Sequence, residues 1–146
     1  MAAILFAGCC SCRDTASEQH FPLTVIHYSS GGGFSGMSSG YSILADGEVT
    51  RWTGHGGSRE KSTTIGKIES KKYRELLSKI YRENPANIRQ QETGNMTTSL
   101  EVVSDDVVYV YTWPGIHGDD TTVPSAVRKL RDIVWENIQT VISIKD

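Results

Sequence analysis

The sequence predicts an α+β domain in which an antiparallel sheet of about five strands, in the order β-β-β-α-β-β-α, is covered on one face by two helices. Three observations lead there. Runs of β-branched and aromatic residues come in adjacent pairs around turn residues. Two longer segments carry apolar residues at helical spacing. Each helical segment follows strands joined by short turns, which favours antiparallel pairing over a parallel sheet.

The chain has 146 residues, with 15 Lys+Arg against 17 Asp+Glu and a net charge of −2. A domain of this size hides enough surface for a packed core without disulfide or metal staples. The near-neutral charge, with no Lys/Arg cluster, leaves no footprint for nucleic acid. No stretch approaches the length of an apolar membrane-spanning helix.

The elements follow in order. Leu23-Thr24-Val25-Ile26-His27-Tyr28 is the first strand, stopping at Ser29-Ser30-Gly31. Gly40 to Ala45 and Glu48 to Trp52 flank Asp46-Gly47, read as the centre of a type I′ turn. Counting outward from that turn places Tyr41, Ile43, Thr50 and Trp52 on one face. Thr53 to Thr64, with glycines and no period, reads as an exposed loop. From Ser70, a candidate N-cap, Tyr73, Leu76, Leu77, Ile80 and Tyr81 line one helix face, and Asn84-Pro85 ends it. Thr97 to Ser104 and Val107 to Trp113 form a second hairpin around Asp105-Asp106. Pro124 opens a last helix whose core stripe is Val127, Leu130, Val134, Ile138 and Val141. The sheet face away from the helices is left partly wet or free for a partner.

Cys9, Cys10 and Cys12 are the only cysteines, so the domain has no disulfide framework, and their spacing does not fit a zinc site. Residues 1–9, an apolar run ending in Ala7-Gly8-Cys9, resemble the end of a bacterial lipoprotein signal, which implies acylation at Cys9; a plain signal, cleaved or uncleaved, and an ordinary frayed terminus are the competing readings. Phe6 stands where such signals commonly carry Leu, and no basic residue precedes the run; a translation start placed too far downstream would account for the missing basic segment and the short apolar run. Residues 10–20 then read as a polar tether and 21–146 as one domain. The expected location is the cell envelope, with an extracytoplasmic domain that touches membrane only through the lipid.

Gly31-Gly32-Gly33-Phe34-Ser35-Gly36 matches G-x-G-x-x-G, but a strand follows where a dinucleotide fold needs a helix. Gly36-Met37-Ser38-Ser39-Gly40 matches the serine-hydrolase elbow and fails for the same reason. His117, Asp119 and Asp120 offer one nitrogen and two carboxylates to a cation, though a polar turn ahead of the Pro124 helix needs the same residues. Tyr41, Trp52, Tyr109 and Tyr111 read as a binding platform or as cross-strand packing. The segment 31–40 is left over, with Phe34 and Met37 its only large side chains. Packed inward, they make the glycines a conformational allowance; turned outward, they anchor a partner.

A strand ending in Gly32-Gly33-Phe34-x-Gly36, followed by further strands, a helix, a hairpin and a last helix, resembles the emfourin family of bacterial protein inhibitors of thermolysin-like metalloproteases. The resemblance spans residues 22–140 in element order and rests on that short motif. This chain differs in its glycine-rich stretch Thr53 to Ser62, its segment Trp113 to Val123 and its leader. It is also similar to lipoproteins that carry Gly-Gly-Gly-Phe before a Gly-Tyr strand. The resemblance implies a non-enzymatic interaction domain, with Gly32, Gly33 and Phe34 as the positions carried over and a thermolysin-like metalloprotease as the implied target; Gly36 and Met37 of the same loop complete the expected partner-binding set, and no cofactor is expected. The competing expectation is a small ligand- or metal-binding lipoprotein, or a weak hydrolase, built on His117, Asp119 and Asp120.

Overall fold

A computed structural model describes residues 21–105, 107–115 and 123–144. Its strands are β1 (Thr24–Gly32), β2 (Met37–Ile43), β3 (Glu48–His55), β4 (Lys61–Lys67), β5 (Met96–Ser104) and β6 (Val108–Pro114). Its helices are α1 (Ser70–Arg82) and α2 (Ser125–Ser143), with a 3-10 turn at Pro85–Asn87. The strands form a single sheet in the order β4-β3-β2-β1-β5-β6, antiparallel throughout. The α+β architecture read from the sequence therefore holds, with six strands rather than five.

The additional strand is β4. Its sequence, Lys-Ser-Thr-Thr-Ile-Gly-Lys, is exposed over most of its length, as an edge strand is on both faces. Such a strand has no apolar alternation to betray it, and its terminal lysines and a bulge opposite Val49/Thr50 guard the edge against foreign pairing. The stretch read as a loop is the end of β3, a Gly56-Gly57 tip and most of β4.

The core lies between one sheet face and both helices. Ile26 sits between Ile43 and Val102, and Tyr28 between Tyr41 and Leu100, so the central strand β1 lends its even-numbered residues to this face. Against them pack Tyr73, Leu76, Leu77 and Ile80 of α1 and Val127, Leu130, Val134, Ile138 and Val141 of α2. Each helix sets an apolar stripe on the sheet, as its three-and-four spacing predicts. No side-chain cap begins α1; Glu69, not Ser70, is its N-cap, and Ser70 is the first helical residue. Two buried phenols tie the layers together: Tyr73 donates to the Thr24 carbonyl at 2.5 Å and Tyr111 to the Pro85 carbonyl at 2.7 Å. Burial pushes both hydroxyls up to about 12, so both remain protonated donors at any ordinary pH.

The β2–β3 turn corrects the expected register. Gly47 N–H donates to the Leu44 carbonyl and Leu44 N–H to the Glu48 carbonyl, both at 2.8 Å, which makes a three-residue loop. Gly47 alone takes a positive φ, +86°, whereas a type I′ turn would need one at Asp46 as well. Asp46 instead accepts the Glu48 N–H at 3.0 Å and holds Lys67 at 2.8 Å, contacts that draw its pKa below the usual carboxylate range, Lys67 foremost. One extra loop residue moves the pairing by one position: Ile43 faces Val49, Tyr41 faces Arg51, and Gly40 faces Trp52. Trp52 and Thr50 thus lie on the opposite face from Tyr41 and Ile43, because a one-residue slip turns every side chain over.

Candidate functional site

The segment 31–40 is a hairpin rather than a loop. β1 and β2 pair as far as Gly32 and Met37, leaving Gly33-Phe34-Ser35-Gly36 as the turn. The turn is held from both sides: Gly33 N–H donates to the Asn95 carbonyl at 2.6 Å, and Gly56 N–H donates to the Gly36 carbonyl at 3.0 Å. Gly32 makes the first approach possible, since a Cβ there would lie 2.4 Å from the Asn95 oxygen and its φ is +122°. Ser35 Oγ accepts the Met37 N–H at 3.3 Å. On this clamped turn the Phe34 ring is wholly exposed, and Met37 beside it is 52% exposed. The Phe34 side chain is therefore turned outward, not packed into the domain.

Beside the hairpin, on the helix-covered face, the sheet extends past the helices and carries a trench of about 420 Å³. Strand register explains its shape. Thr53, Ser39 and Ser30 lie in one cross-strand row and form a floor of short hydroxyl side chains. The next row inward, Arg51, Tyr41 and Tyr28, is bulky; so are Met37 and Met96, which flank Gly32 in the row outward. Trp135 of α2 closes the inner side, its ring 5.5 Å from Tyr28 and 5.9 Å from Tyr41, within the range of favourable aromatic contact. Small residues between two rows of large ones leave a channel across the strands. Among the described residues that line it, Arg51 is the only charged one and none is a carboxylate.

The opposite sheet face carries a second cluster. There the Arg59 guanidinium lies 5.2 Å from the centre of the Trp52 ring, donates to His27 Nε2 at 3.1 Å and pairs with Glu101 at 3.3 Å. An arginine can only donate, so His27 Nε2 is the acceptor and its proton sits on Nδ1, facing Ser42 Oγ at 2.7 Å. Burial first, and then the Arg59 charge, lowers the His27 pKa to about 4. The pair does not have the geometry of a nucleophilic dyad, because the nitrogen that faces Ser42, Nδ1, already carries the proton, while the lone pair on Nε2 is taken by Arg59. These contacts latch the segment 56–60 over Trp52, which is buried although it lies outside the main core.

The sequence-derived site residues therefore divide. Gly32, Gly33, Phe34, Gly36 and Met37 come together at the hairpin tip. Cys9, His117, Asp119 and Asp120 lie outside the described residues, and among the described residues no group of three or more His, Cys, Asp or Glu could hold a metal. Ser38 lies within β2, with its Oγ buried, rather than on an elbow. The four aromatic residues make no platform: Tyr111 is core, Tyr109 packs partly against it, Tyr41 faces Trp135, and Trp52 is on the far side. Arg51, Met96 and Trp135 escaped the sequence reading. A correct β2–β3 register would have put Arg51 beside Tyr41, but nothing local marks Met96 or Trp135.

No protein-family model matches this chain, and no curated protein is detectably similar to it. Among the described residues no helix is long and apolar enough to cross a membrane.

Proposed function

We propose that this chain is a non-enzymatic protein-binding domain, tethered at the bacterial cell envelope through Cys9, that grips its partner with the β1–β2 hairpin tip. The observation that carries the proposal is Phe34, a wholly exposed aromatic side chain on a turn hydrogen-bonded to both neighbouring segments. Burying such a ring in a partner's pocket contributes about 1.5–3 kcal/mol. Because the turn is already fixed, little of that gain is lost to ordering the backbone on binding. Gly32, Gly33 and Gly36 shape the turn, and Met37 extends the apolar contact toward the trench. The emfourin-like motif makes a thermolysin-type metalloprotease the first partner to test.

The test is a titration of the protein into a fixed amount of such a protease, followed by peptide cleavage. Stoichiometric loss of cleavage is expected, with Phe34→Ala weakening inhibition by about 30-fold, the equivalent of roughly 2 kcal/mol. Chelation of the inhibitor stock before its removal from chelator, and His117→Ala, should leave inhibition unchanged. Full cleavage with excess intact protein would remove this class of protease as the partner. Equal inhibition by Phe34→Ala would remove the hairpin tip as the site.

A further inference from the structure

Resting on the reading of the hairpin tip as a partner-binding element, we infer that the adjoining trench receives an acidic side chain of the same protein partner, paired with Arg51. Met37 belongs to both features, so a partner seated on Phe34 is carried directly over the trench. The lining chemistry selects the ligand. Arg51 is exposed, and no described residue pairs with its guanidinium, which shares the trench with rings, thioethers and hydroxyls, none of the described lining residues being a carboxylate. The floor adds an independent sign, for Ser30 Oγ is buried and has no hydrogen-bond partner among the described residues. A hydroxyl without a partner is an unused donor, and it lies in the row next to Arg51.

A carboxylate fits this set better than a neutral group. It accepts two parallel hydrogen bonds from a guanidinium and others from hydroxyls. The aromatic wall of Tyr41 and Trp135 and the pliable Met37 and Met96 then cover the aliphatic part of the same residue and its apolar neighbours. The occupant is therefore a glutamate or aspartate flanked by apolar residues on the partner's surface. The contrast with Arg59 sharpens the assignment, because that arginine, on the other face, is already satisfied by Glu101 and His27.

The test needs no protease. The isotopically labelled protein is titrated with acetyl-Leu-Glu-Leu-amide and with the matching Gln peptide, and the Trp135 indole and Arg51 Nε–H signals are followed by NMR. The Glu peptide is expected to shift both signals and to bind about fivefold more tightly than the Gln peptide, a difference that Arg51→Gln removes. Equal binding of the two peptides, an equal response to inorganic phosphate, or concentration-dependent shifts without peptide would overturn the assignment in favour of no charge selection, a generic anion site or self-association. The two proposals separate cleanly. Protease inhibition that Arg51→Gln leaves intact refutes the trench and spares the tip, whereas Arg51-dependent peptide binding without protease inhibition keeps the trench chemistry and discards that partner.

Discussion

The two turns at the ends of β2 are both made by glycine with positive φ, yet they serve opposite purposes. At one end Gly47 lies under the entrance to α1: its carbonyl accepts the Ile68 N–H at 2.9 Å, and a Cβ there would lie 2.6 Å from the Ile68 oxygen. At the other end the Gly33–Gly36 turn is held just as firmly by backbone hydrogen bonds, but no helix reaches it and Phe34 points into solvent. A glycine turn is therefore structural or available for binding according to what packs on it, and its own letters do not say which. The core-side turn spends its close approach on a helix, whereas the tip leaves an aromatic ring uncovered.

Substitutions should separate the two ends. Gly47→Val places a branched side chain at a φ of +86° against the Ile68 backbone, and thermal or denaturant unfolding should show a loss of about 2–3 kcal/mol. Its folded fraction should still present Phe34 to a partner. Phe34→Ala should do the reverse, weakening partner binding by roughly 2 kcal/mol while the melting temperature stays within the error of measurement. A melting temperature lowered by several degrees in Phe34→Ala would mean that the ring packs on the domain in solution and that the contrast fails. Tyr111→Phe is expected to cost about 1–2 kcal/mol in a denaturant titration, because the Pro85 carbonyl loses its buried donor.

A pH-dependent effect probes the other sheet face. Folded His27 resists protonation until pH falls to about 4, whereas the unfolded chain takes up that proton near 6.5. The unfolded state therefore binds more protons across that window, so stability should decline as pH falls from about 6.5 to 4 and lose nothing further through this group below it. The groups facing His27 are Ser42 and Arg59, with Glu101 on the far side of Arg59. Melting curves across that range should show the slope, and His27→Gln should flatten it. An unchanged slope in that variant would assign the acid sensitivity to other groups.

Both helices and the β5–β6 hairpin were legible because their signals are local. Tyr73, Leu76, Leu77 and Ile80 repeat at helical spacing whatever they pack against, and Asp105-Asp106 interrupts two β-branched runs at a point any hairpin would use. β4 was not legible, since an edge strand wet on both faces has no reason to alternate. Half of the site could be read as well. The Gly32-Gly33-Phe34-x-Gly36 run is conspicuous as letters, but whether Phe34 turned inward or outward depended on the segments that clamp the turn, Asn95 and Gly56, which lie far off in the chain.

The class of fold, the helix faces and the presence of a glycine-built turn carrying an aromatic residue are written locally in the chain, because periodicity and turn stereochemistry act over a few residues. Tertiary structure decided the register and everything that follows from it. Asp46-Gly47 serves a two-residue or a three-residue loop, and only the packing of Ile43, Val49 and Ile68 selects the longer one. That selection sends Trp52 beneath Arg59 and brings Arg51 beside Tyr41. The trench then exists only where separate strands and Trp135 of α2 are brought side by side, through contacts between residues far apart in the chain.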